Sequence, residues 1–158
     1  MTEKEKNMGD RVSISFRQEQ ERWSSPDDKE KTTEESPVLF HHWGGTDFPK
    51  FAFDWFKALR KHLKKNHTGS DPLTRLEPRN LMVQFINAIR DEEAFRLHHY
   101  ENKTKDINGG TWSIDDNLLS YSIYLGKTSN DGDNSDNGHY TIDVDTGKMY
   151  DDKGQSIE

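Results

Sequence analysis

Residues 36–63 read SPVLFHHWGGTDFPKFAFDWFKALRKHL, and the two halves of this stretch follow different periods. Pro37 opens an apolar run, Val38-Leu39-Phe40, that suits a short strand, with the proline at the first position where a missing N–H does least harm. His41-His42-Trp43 continue it, and Gly44-Gly45 permit the tight reversal that ends it. Thr46 or Asp47 can then cap a helix with Pro49 in its first turn. Phe48, Phe51, Ala52, Trp55, Phe56, Leu59 and Leu63 recur at helical spacing. Phe53 stands off that stripe, either as a partly covered surface ring or as a contact for a partner. A strand that turns through two glycines into an amphipathic helix makes this an α+β chain.

Working outward, Val12, Ile14 and Phe16 alternate with polar residues and predict a half-buried strand, an antiparallel neighbour of the first. Between the two, 17–36 is almost wholly polar and predicts a loop or an extended hairpin tip. On the other side, Pro78 opens a second helix with a stripe of Leu81, Met82, Phe85, Ile86 and Ile89, placed at 78–91, with continuation through Tyr100 as an option. From Gly110 the period changes to two. Leu119, Tyr121, Ile123 and Leu125 predict a strand at 118–125, and Tyr140, Ile142 and Val144 predict another. Asp145-Thr146-Gly147-Lys148 is a turn, after which Met149-Tyr150 can start a short last strand. The expected fold is therefore an antiparallel sheet of about four to five strands in the order ββααββ, with two helices packed on one face. Residues 1–9 are expected to form a disordered leader, 10–150 a single domain with a polar insertion at 17–36, and 151–158 a disordered tail.

Composition bounds the function. The chain has 158 residues, 30% hydrophobic and 32% charged, a net charge of −7 and no cysteine. One domain follows from the length. The absence of cysteine removes disulfides, thiolate metal sites and cysteine nucleophiles and suits a reducing, cytoplasmic setting. No apolar run approaches the roughly 20 residues of a membrane span, so no membrane partner is expected. Bulk charge does not favour nucleic acid.

Three groups of residues are candidate sites. Lys57, Arg60, Lys61, Lys64 and Lys65 occupy the polar face of the first helix. A basic last turn suits the helix dipole, and the same face can lie along phosphates or dock on an acidic protein. His42, Trp43, Gly44 and Gly45 join a strand end to a helix start, where backbone N–H groups can receive an anion. His41 and His42 are adjacent in a strand, so they point to opposite faces and cannot share a metal by adjacency. Asp131, Asp133, Ser135 and Asn137 lie in one acidic loop. Asp133-x-Ser135-x-Asn137-Gly138 imitates the first half of a calcium loop, yet Val144 stands where a bidentate glutamate belongs. Weak binding of a divalent cation there is the single cofactor the sequence suggests. No GxGxxG, Walker or GxSxG motif is present, and no catalytic residue is assigned.

The order of the motifs resembles that of small proteins of prokaryotes and their viruses. In these a similar SP-apolar-HWGG segment, here Ser36 to Gly45, precedes a helix. A proline-led second helix follows, here from Pro78, and a closing strand runs into a D-x-D-T-G turn, here Asp143 to Gly147. The likeness covers 11–16 and 36–150. It implies the same architecture and a prokaryotic or viral intracellular setting, and it brings no activity with it. The leading expectation is a non-enzymatic interaction or regulatory module that docks on a protein partner. The alternatives are a nucleic-acid-associated protein using the basic helix face at 57–65, and a metal-dependent hydrolase around His42 and the acidic loop at 131–137.

Overall fold

The computed structural model describes residues 10–25, 28–66, 76–102 and 123–157. Its strands are β1 (Val12–Ser25), β2 (Asp28–Glu35), β3 (Val38–His41), β4 (Ile123–Gly126), β5 (His139–Asp143), β6 (Lys148–Tyr150) and β7 (Ser156–Ile157), and its helices are α1 (Asp47–Asn66) and α2 (Pro78–Asn102). The fold is α+β. The sheet is mixed and has seven strands, with β4-β3-β1-β5-β6-β7 in spatial order and β2 paired to β1.

The expected antiparallel sheet is corrected at β5, which runs parallel to β1 from Ser13↔His139 to Arg17↔Asp143. A parallel return needs about a dozen connecting residues, and the 127–138 loop supplies them. It crosses the sheet face opposite the helices. Phe40 points to that face and stacks on Tyr124 with ring centroids 5.0 Å apart. Gly132 lies so close that a Cβ there would meet both rings at 2.8 Å. Period-two patterning specifies which face of a strand is buried; it carries no information on strand direction.

Two further expectations are revised. The polar stretch at 17–36 is largely strand: β1 continues to Ser25 and pairs with β2 from Arg17↔Glu35 to Ser25↔Asp28. The 151–158 tail, expected to be disordered, turns back as β7 and pairs Met149↔Ile157 and Tyr150↔Ser156. The Asp151 carboxylate accepts the N–H groups of Lys153 and Gln155 at 3.0 and 2.9 Å, and Gly154 supplies the left-handed φ of 78° that the turn requires. The predicted leader, the 67–75 connection and the 118–122 part of a predicted strand lie outside the described residues.

The core lies between the helices and one face of the sheet. Val12, Ile14, Phe16, Leu39 and Ile142 meet Phe48, Ala52 and Phe56 of α1 and Leu81, Met82, Phe85 and Ile89 of α2. Phe85 is its centre, with ring centroids 5.3 to 6.1 Å from Trp55, Phe51, Phe48 and Phe16. Each such ring, fully buried, contributes about 1.5–3 kcal/mol. Phe53 belongs to this core at 6% exposure, so the apolar face of α1 is broader than the stripe predicts. Helix α2 runs through to Asn102, the longer of the two ends the sequence allowed.

Candidate functional site

Lys57, Arg60, Lys61, Lys64 and Lys65 project from the outer flank of α1 and enclose, with Gly147, a concavity of about 610 Å³. The second wall is the β5–β6 turn. Asp143 shapes it, its Oδ1 accepting the N–H groups of Asp145 and Thr146 at 3.0 Å each. The Asp145 carboxylate accepts the N–H of Glu19 at 3.0 Å. Arg60 joins the walls: Nη2 donates to the Asp145 carbonyl at 3.3 Å. Its guanidinium lies over Gly147, where an added Cβ would meet Nη1 at 2.8 Å. Arg60 Nε is buried and has no hydrogen-bond partner.

The lysines differ in what surrounds them. Lys57 pairs with Asp54 at 3.4 Å and its ammonium sits 4.4 Å from the Phe53 ring centroid. Lys61, Lys64 and Lys65 are exposed, and among the described residues none has a carboxylate partner. The basic face expected from sequence is therefore one wall of a concavity.

The other two candidate groups meet at one end of the sheet. β1 and β5 run parallel, so they start at that end, and antiparallel β3 finishes there. Asp10, Arg11, His42 and the 131–138 loop are thus neighbours. The loop's polar groups are taken up locally. Asp131 accepts the N–H of Thr128 at 2.7 Å. Asp133 accepts from Ser135 N–H and Oγ at 3.1 and 2.6 Å, and Arg11 Nε lies 3.2 Å from its other oxygen. Ser135 bonding, with Arg11 and His42 nearby, holds the Asp133 carboxyl below its usual range. Asn137 donates to Asp10 at 2.7 Å. Among the described residues, no group of three His, Asp or Glu side chains is placed to hold a metal ion.

Of the adjacent histidines, His41 is fully buried against Phe48, ring centroids 4.7 Å apart, and His42 is half-buried against Trp43. His41 Nδ1 accepts the N–H of Trp43 at 3.0 Å, whereas Nε2 is buried with no partner. Burial first, and the neighbouring His42 second, lower its pKa to about 4. Gly44 packs directly behind it: a Cβ there would meet His41 Cγ at 2.9 Å and Phe48 Cβ at 2.6 Å. Gly45 takes a φ of 57° and its N–H is spent on the Asp10 carbonyl at 2.8 Å. These contacts take up the Gly45 N–H and the space behind Gly44.

Sequence reasoning missed a polar chain beneath the crossing loop. Ser13 and Ser15 alternate with core residues and read as solvent-facing, yet both are fully buried. Asn134 Nδ2 donates to Ser13 Oγ at 2.9 Å, and His139 lies 2.8 Å from Ser13 Oγ through Nδ1 and 3.0 Å from Ser15 Oγ through Nε2. Ser15 donates to Glu35 at 2.7 Å. A hydroxyl has one proton, so Ser15 must accept from Nε2–H, and in the neutral ring Nδ1 then accepts from Ser13. The His139 ring, its Nε2 4.0 Å from Glu35 Oε1, and the Ser15 hydroxyl hold the Glu35 carboxyl below its usual range against the opposing effect of burial. The chain fastens β1, β2, β5 and the crossing loop together, and its buried serines present no nucleophile to a substrate.

A scan against protein-family models finds no match, and neither do comparisons with curated proteins and with solved structures. Among the described residues no helix is long and apolar enough to cross a membrane.

Proposed function

We propose that this protein is a non-enzymatic docking module that receives an acidic protein partner on the outer flank of α1. One observation carries the reading. In a chain of net charge −7, five cations line a single concavity, and three of them have no carboxylate partner among the described residues. The helix dipole accounts for Lys64 and Lys65 in the last turn. It does not account for Lys57 and Lys61, farther from the C-terminus, whose i,i+4 spacing costs about 0.2–0.5 kcal/mol in repulsion. A partner's carboxylates would relieve that repulsion.

The test is a titration of the full chain with a fluorescent oligo-glutamate peptide, beside a single-stranded oligonucleotide of equal length. The Lys61→Glu/Lys64→Glu variant should bind the peptide at least about tenfold more weakly, with a salt dependence shallower than that of the parent. Equal peptide affinity for parent and variant would refute the docking reading. Tighter and salt-steep binding of the oligonucleotide would move the assignment to nucleic acid.

A further inference from the structure

The cationic concavity does not end at Lys57. That residue also borders a second concavity of about 360 Å³, lined by Phe53, Tyr140, Met149 and Ile157 and rimmed by Asp47, Lys50 and Asp54. Register explains its apolar floor. Tyr140 faces Ile14, Met149 faces Ile142, and Ile157 faces Met149, so all three side chains point to the helix side of the sheet. Helix α1 covers the centre of the sheet and leaves the β6–β7 margin open beside Phe53.

We infer that the two concavities form one amphipathic groove, and that its occupant is an extended segment of a partner protein with a large apolar side chain at one end and acidic residues after it. This rests on the docking reading above and names the chemistry of its partner. From Pro49 to Lys65 the groove follows α1 for about 24 Å at 1.5 Å per residue, the length of roughly seven extended residues. The apolar end has the volume of a pocket for one large side chain. β7, the terminal strand, borders that pocket and has one main-chain edge without a strand partner among the described residues, an edge that an extended peptide can use. The charges select the class. At the apolar end Lys50 and Lys57 balance Asp47 and Asp54, so that end offers an apolar floor with no excess of cations for the phosphate that a nucleic-acid strand carries at every residue. A peptide places its carboxylates at the lysine end alone.

The probes are labelled peptides made of one tryptophan, a short glycine spacer and a run of glutamates, in both orders, with alanine-for-tryptophan controls of equal charge. Anisotropy titrations of the full chain should show one tryptophan peptide binding about tenfold or more tightly than its control. Ile157→Gln, at a half-exposed edge and adding no charge, should abolish that difference, and Lys61→Glu/Lys64→Glu should weaken both peptides. Matching melting curves would verify that the variants fold. Equal affinity for tryptophan and alanine peptides in both orders would overturn the inference and leave the docking reading standing. So would an Ile157→Gln variant that keeps the difference. Absence of binding by every acidic peptide would overturn both, as would capture by vesicles containing phosphatidylserine in place of the peptides.

Discussion

Acid should destabilise this protein before its carboxylates titrate, and His41 is the reason. An imidazole in the unfolded chain titrates near 6.5, whereas the buried ring titrates at about 4. The folded value is the lower one, so below about 6.5 the unfolded state binds the extra proton, and stability falls with pH until the folded ring also protonates. The gap corresponds to about 3 kcal/mol in full, and about 2 kcal/mol of it is lost between neutrality and pH 5. Glu35 and Asp133 act in a different window. Their carboxyls are held below their usual values, so the stability they contribute disappears below about pH 4.5. Denaturant melts followed by far-UV circular dichroism at several pH values would read the slope. In His41→Asn, which keeps an acceptor for the Trp43 N–H and cannot protonate, about 2 kcal/mol of that slope should vanish. A variant whose slope equals the parent's would refute the assignment to His41.

Other outcomes follow from packing. Phe85→Ala should cost about 3–5 kcal/mol in denaturant melts, because its ring meets four others at the centre of the core. Gly44→Ala should cost about 1–3 kcal/mol, since the new Cβ has no room between His41 and Phe48. Gly132→Ala should lift the crossing loop from Phe40 and Tyr124, seen as faster amide exchange at Ser13, whose N–H is bonded to the Gly138 carbonyl at 3.1 Å. Ser15→Ala should cost about 1–3 kcal/mol by breaking the chain between His139 and Glu35, and a loss below about 0.5 kcal/mol would contradict that role.

The parts of the fold legible in the sequence are those written in local period. The stripe from Phe48 to Leu63, the alternation of Val12, Ile14 and Phe16, and the Pro78 start of α2 each reported which face is buried. The parallel direction of β5 was not legible, because it depends on where the 127–138 loop lies, and that is set by Gly132 against Phe40, far away in sequence. The same loop buries Ser13 and Ser15, which no local pattern distinguishes from solvent-facing serines. β2 and the outer half of β1 are polar but for Trp23 and carry no apolar alternation to read. At the site, the cations were visible as a row on a helix. Their convergence on Gly147 and the apolar pocket beyond Lys57 were not, because α1 and the β5–β7 ribbon lie some eighty residues apart and meet only through tertiary packing.

The most direct test of the docking groove is a ¹⁵N chemical-shift titration of the full chain with the tryptophan–glutamate peptide. The account predicts shifts confined to α1 between Pro49 and Lys65, to Tyr140, and to the stretch from Thr146 to Ile157. Shifts centred instead on Asp10, Arg11, His42 and the 131–138 loop, with α1 unmoved, would contradict it.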